Sequence, residues 1–246
     1  MYNYKNSKAN IIEILTSKTP IEEKERIPKD QEFTYENGIR SWVGAVFIDI
    51  ENSTKLFAEK NEKLARLLRA FTSETITIMQ DKEDYSQIGI RGDCVYAIYS
   101  APYQADLVSI FNIAYRLNTF VNMFNKIIVN YGYNEINVGI GLGCDQDLII
   151  KAGRSGFGIN DKIWIGKAVV DAANLSSVAG RKGISRIAMS SLFYNNIIDT
   201  LQKETNKYKD WIKYRSDIFN GIEYYHCDIV QSDFNNWIEG GMKNEY

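Results

Sequence analysis

Residues 42–50 read WVGAVFIDI, a nearly continuous apolar stretch with β-branched residues. That is the length and pattern of a buried central strand. It carries an acid, Asp49, near its end, and polar Glu51-Asn52-Ser53-Thr54 follows. Asn52 or Ser53 suits a helix N-cap. Leu64, Leu67, Leu68, Phe71, Thr75, Ile78 and Met79 then recur at helical spacing. A buried strand is therefore expected to run directly into an amphipathic helix.

Two short β-rich segments come next, 85–90 and 94–100, joined at Arg91-Gly92-Asp93 in a hairpin pattern. Pro102 opens a long helix whose buried face is marked by Leu107, Ile110, Phe111, Ala114, Leu117, Val121, Phe124 and Ile128. Residues 136–142 and 148–152 read as strands around a turn at Cys144-Asp145-Gln146-Asp147. A glycine-rich stretch, 153–158, leads to a strand at 163–165 and a helix from about 167 to 178. The last clear strand is 221–229. The order is β-α-β-β-α-β, an α+β, ferredoxin-like arrangement with a small C-terminal subdomain. Residues 1–40 read as an N-terminal arm with a weak helix at 10–15, residues 41–230 as one domain, and 231–246 as a tail.

Composition narrows the chemistry. The 246 residues are 45% hydrophobic and 24% charged, which rules out a disordered or low-complexity chain. Lys+Arg 29 against Asp+Glu 31 leaves a net charge of −2, so nothing in the overall charge points to nucleic acid. The three cysteines, Cys94, Cys144 and Cys227, are widely spaced with no CxxC, which argues against a disulfide framework and a zinc site. One histidine, His226, excludes any mechanism that needs a histidine pair. Neither a secretory leader nor a long apolar span is legible, so a cytoplasmic protein without membrane contact is expected.

Chemistry must then run on carboxylates, Lys, Arg and backbone amides. Asp49 ends the buried strand and Asp93 sits at the hairpin tip, and a β-α-β-β sheet makes those elements neighbours. An unpaired carboxylate at the end of an apolar strand is costly, and a divalent cation shared by the two acids removes that cost. Residues 51–54, read as a helix N-terminus, offer free amides to phosphates. Two acids beside such a turn suggest a metal–nucleoside-triphosphate site. Gly166-Lys167-Ala168 lacks the rest of a P-loop. Gly139-Ile140-Gly141-Leu142-Gly143 lacks dinucleotide-fingerprint spacing and reads instead as a strand approached closely by another backbone.

FIDIENST at 47–54, RGDCVYAIY at 91–99, VGIGLG at 138–143 and IWIGKAVVDAANLSS at 163–177 together resemble the class III nucleotidyl cyclase homology domain. Within that family the chain looks most like the pyrimidine cyclases of Pycsar anti-phage systems. The resemblance implies cyclisation of a nucleoside triphosphate with release of pyrophosphate, using two divalent cations, Mn²⁺ or Mg²⁺, per site. It places metal ligands at Asp49, the Ile50 carbonyl and Asp93. It implies a homodimer with two shared sites, and a product that activates a separate cyclic-nucleotide-sensing effector. The family's purine-reading positions fall on Gly89 and Ile163, neither of which can make the expected polar contact. A pyrimidine is therefore expected. Arg91, two residues from Gly89 and on the same strand face, is a donor that matches uracil O4. UTP is favoured, with CTP as the alternative. Phe47 is expected to pack on ribose or base, or simply in the core. The family's transition-state Asn and Arg fall on Val170 and Asn174, so only an asparagine survives. Arg154 is the first candidate for the missing cation, with Lys167, Arg181, Lys213 or Arg215 as others. A non-catalytic nucleotide-binding module and a polymerase-like nucleotidyltransferase remain competing readings.

Overall fold

The computed structural model describes residues 2–56, 58, 60–154, 158–219 and 222–243. Along the chain come α1 (Tyr4–Thr16), β1 (Ile21–Glu23), β2 (Gly38–Ile50), α2 (Ser53–Leu56), α3 (Glu62–Gln80), β3 (Tyr85–Arg91), β4 (Cys94–Ser100) and α4 (Gln104–Asn130). Then follow β5 (Val138–Arg154), β6 (Ile159–Ile165), α5 (Lys167–Val178), β7 (Ile187–Ser190), α6 (Ser191–Glu204), α7 (Tyr208–Trp211), β8 (Lys213–Phe219), β9 (Ile222–Cys227) and α8 (Ser232–Glu239).

One sheet runs in the order β3-β4-β2-β5-β7-β9-β8, with β1 added to β2 and β6 to β5. Its first four members are antiparallel neighbours and, with α3 and α4, form the expected β-α-β-β-α-β unit. Strands β7, β9 and β8 are the C-terminal extension, joined through the parallel β5–β7 pair.

Strand alternation divides β2 between two layers. Val46, Ile48 and Ile50 face a core shared with α3, α4 and α6. Ile39, Val43, Ala45 and Phe47 face the other side, where α5 lies. The eight residues read as the buried face of the long helix are all buried in α4. Two polar contacts fix its ends. The Tyr103 amide donates to Asp106 at 3.1 Å, and the Asn125 side chain exchanges two hydrogen bonds with Ile136, setting the entry to β5.

Three expectations are corrected. No turn interrupts 144–147: β5 is continuous and pairs with β2 from Gly38↔Ile150 to Ile50↔Val138. The acids that suggested a turn serve α5, whose N-cap, Gly166, has no side chain. Asp145 accepts the Lys167 amide at 3.0 Å and Asp147 the Ala168 amide at 3.4 Å. Burial pushes the Asp147 carboxyl up to about 6. Second, β2 does not run directly into one long helix. The four-residue α2 comes first, and α3 begins afresh under Asn61, whose side chain accepts the Leu64 amide. Third, the N-terminal helix spans Tyr4–Thr16 rather than 10–15, and buries none of its residues. The chain enters the sheet at β1 and again at Gly38, ahead of residue 41.

Candidate active site

The glycines of VGIGLG build the floor. Gly139, Gly141 and Gly143 pair with Asp49, Phe47 and Ala45, so they face α5. A Cβ on Gly141 would lie 2.0 Å from the Ala172 carbonyl oxygen. The helix therefore packs backbone-to-backbone on β5, as the sequence pattern suggested. Its own Ala168, Ala172 and Leu175 are fully buried.

Asp49 and Asp93 come together on this face. Burial raises the Asp49 carboxyl above its ordinary value, and the neighbouring Asp93 charge raises it further. Arg181, just beyond α5, opposes both. Its guanidinium donates to Asp49 Oδ2 at 2.9 Å and also to the Ser176 and Ala179 carbonyls. One side chain thus closes the C-terminal end of α5 and neutralises the end of β2. Asp93 Oδ2 is buried and has no hydrogen-bond partner among the described residues. Burial, and after it the same two acids, push the Cys94 thiol up to about 12.

Two adjacent carboxylates, one with an orphaned oxygen, fit a hard cation that accepts only oxygen ligands. Among the described residues no cluster of three or more His, Cys, Asp or Glu forms a metal cage. The remaining ligands must come from a carbonyl such as Ile50, from water or from substrate oxygens.

The phosphate-binding expectation at 51–54 survives only in part. The Glu51 amide is taken by the Asn137 carbonyl at 2.8 Å, and its carboxylate accepts from Asn137 Nδ2 at 2.7 Å. Glu51 is thus committed to the β5 entry. Asn52 adopts the left-handed region, φ 57°, which turns the chain into α2 at Ser53. The amides offered there belong to a single helical turn, not to a long helix. The Thr54 side chain lies outside the described residues.

The expected cations separate. Lys213 and Arg215 stand on β8, four strands from β2 and roughly 19 Å across the sheet. Lys167 is exposed at the start of α5. Arg154 closes β5, and its side chain lies outside the described residues. Arg181 alone of the five meets Asp49 among the described residues. On α5, Val170 is exposed and Asn174 partly so, and no contact joins Asn174 to the acid pair among the described residues.

Arg91 is exposed at the end of β3. Phe47 is nearly buried and stacks on Tyr96, with ring centroids 5.0 Å apart and planes at 14°. Tyr96, Gln87 and Trp164 did not emerge from the sequence reading. Alternation in RGDCVYAIY puts Tyr96 on the Asp49 face, but its partners come from the strand register and from β6, which no local pattern gives.

No family model matches the chain. It is 40% identical over 244 residues to a uridylate cyclase of Treponema porcinum, covering 98% of this chain and 82% of that one. It is 30% identical over 251 residues to a uridylate cyclase of Gulbenkiania mobilis, covering 97% and 96%. Among solved structures, the adenylyl cyclase CyaB of P. aeruginosa matches with a TM-score of 0.62 at 20% identity, over 80% of this chain and 98% of that one, which shows a shared fold. No helix among the described residues is long and apolar enough to cross a membrane. With similarity to two such relatives over 97–98% of its length, the chain belongs to the uridylate cyclase family.

Proposed function

We propose that the protein converts UTP to 3′,5′-cyclic UMP and pyrophosphate. The 3′-oxygen attacks the α-phosphorus, the bond from that phosphorus to the α–β bridging oxygen breaks, and the 3′-hydroxyl proton passes to solvent. The observation that carries this reading is the Asp49–Asp93 pair with its unpartnered buried oxygen. Asp49, Asp93 and the Ile50 carbonyl would hold two divalent cations, which supply Lewis-acid stabilisation of the attacking oxygen and the triphosphate. Asp49 is held in place by Arg181. The turn at residues 52–54 is suited to bind phosphate oxygens, and Arg91 to donate to uracil O4. That a uracil is read, rather than cytosine, is supported by the names of the two relatives and by the donor-only chemistry of Arg91.

The acid pair lies on the α5 face of the sheet, where Asp49 keeps part of its side chain exposed. A cavity of about 590 Å³ opens beside the site, lined by Ile50, Glu51, Asn52, Leu56, Lys63 and Tyr133 among others, and includes neither acid. A partly exposed half-site supports a homodimer in which a second copy covers the nucleotide, and there Arg154 and Asn174 are available to the opposite subunit. The product would serve as a second messenger for a separate effector in anti-phage defence.

Mass-spectrometric analysis of products from the four nucleoside triphosphates with Mn²⁺ tests the reaction. Cyclic UMP from the wild type and none from Asp49→Ala or Asp93→Ala is expected. Preferential cyclisation of CTP, ATP or GTP overturns the substrate. Tight nucleotide binding without product favours the binding-module reading, to which the Val170 and Asn174 departures point.

A further inference from the structure

Resting on the uridylate cyclase reading, we infer that Tyr96 reads the base: its ring occupies the space a purine-reading side chain at position 89 needs, and its hydroxyl donates to a pyrimidine carbonyl.

The geometry is a row across four strands. Gly141 pairs with Phe47, Phe47 with Tyr96, and Tyr96 with Gly89. All four lie on the Asp49 face. A Cβ on Gly89 would stand 2.4 Å from the Tyr96 hydroxyl oxygen and 2.5 Å from the ring carbon bearing it. The phenol therefore lies flat over Gly89, and position 89 accepts no side chain while Tyr96 is there. The glycine at 89 and the tyrosine at 96 are one steric unit, and Phe47 stacked beneath keeps the ring from swinging away.

The hydroxyl's direction follows from its neighbours. Trp164 Nε1 can only donate, and it donates to Gln87 Oε1 at 2.9 Å. That fixes the amide, so its NH₂ end faces Tyr96 at 3.2 Å and Asp161 at 3.2 Å. Tyr96 must then accept from Gln87. Its own proton has no acceptor among the described residues, and the oxygen carrying it sits on the substrate side of the sheet. Uracil and cytosine both present the O2 carbonyl, so the hydroxyl serves either pyrimidine and leaves the choice between them to Arg91, while the ring over Gly89 disfavours purines by denying space to a purine-reading side chain.

The test uses full-length protein and the non-cyclisable analogues 3′-deoxy-UTP and 3′-deoxy-ATP, measured by calorimetry with Mn²⁺. Tyr96→Phe keeps ring and stack and removes only the hydroxyl. Its affinity for 3′-deoxy-UTP is expected to fall about tenfold, with an unchanged melting temperature. Tyr96→Ala is expected to raise 3′-deoxy-ATP affinity relative to 3′-deoxy-UTP by at least tenfold. Thermal unfolding gives a readout free of nucleotide: Gly89→Ala lowers the melting temperature in the native background and is tolerated beside Tyr96→Ala. Unchanged 3′-deoxy-UTP affinity in Tyr96→Phe, or equal Gly89→Ala penalties in both backgrounds, overturns the assignment. Failure of the wild type to make cyclic UMP is a different result: it removes the proposed substrate, while the two affinity ratios and the unfolding cycle still judge Tyr96.

Discussion

Replacing Gly141 by alanine asks whether α5 needs the bare backbone of β5. The added methyl would lie 2.0 Å from the Ala172 carbonyl oxygen and 2.4 Å from the Ser176 amide nitrogen. Both are helix backbone atoms, which cannot rotate aside as a flexible side chain could. Restoring a tolerable contact near 3 Å requires α5 to rise by about 1 Å. Ala168, Ala172 and Leu175 of that helix are fully buried, so a rise opens a gap along the whole contact. Overpacking costs about 1–3 kcal/mol, and a backbone clash belongs at the upper end. Alanine recovers roughly 0.5–1 kcal/mol because glycine is a poor strand residue. A net loss of about 2 kcal/mol remains, which lowers the melting temperature by about 4–8 °C for a chain of this size. Activity should fall further than stability, because α5 delivers Arg181 to Asp49 and a 1 Å misplacement costs about a hundredfold in rate. Circular-dichroism melts and cyclic-nucleotide turnover at a temperature where both proteins are folded measure the two effects. A variant that melts within 1 °C of wild type and turns over normally would refute the close-packing account.

Other outcomes follow from the same site. Arg181→Met leaves Asp49 beside Asp93 without its counter-charge, and both members of the lost ion pair are mostly buried. The variant should lose about 2 kcal/mol in EDTA and gain more than wild type in melting temperature on adding Mn²⁺; equal Mn²⁺ shifts would show that the guanidinium does not stand in for cation charge. Burial raises Asp147 from 3.8 to about 6. Its favourable contribution is therefore fully present below pH 3.8 and is lost as pH rises through 6, a swing of about 3 kcal/mol. Asp147→Asn should flatten the stability profile over that window; urea midpoints with the same slope in both proteins would count against it. Mixing inactive Asp49→Ala and Arg154→Ala chains should restore some turnover if sites are shared between subunits, and no rescue in demonstrated mixed dimers would speak for self-contained sites.

Local pattern carried the β-α-β-β-α-β order, because period-2 and period-3.6 repetition is written in neighbouring residues. The α4 stripe from Leu107 to Ile128 and the span of α5 were both legible in that way. The alternating glycines at 139, 141 and 143 announced a close backbone without saying which one. Asp49 and Asp93 were legible as a pair because the topology makes the end of β2 and the hairpin tip neighbours. The local rules failed where a residue answers to a distant partner. Asp145 and Asp147 looked like turn residues because their chemistry is that of turns; they are strand residues that satisfy the amides of a helix 22 and 21 residues later. Glu51 looked like a phosphate-turn residue and is bound to Asn137. Arg181 was one of five candidate cations in the sequence, ranked behind Arg154, and only the docking of α5 on three glycines carries it to Asp49. The sequence by itself determined the β-α-β-β-α-β order, the acid pair and the absence of a purine-reading side chain at Gly89. The tertiary structure alone decided which cation meets the acids and that Tyr96 fills the space over Gly89, because strand register and helix docking bring together residues that no local periodicity connects.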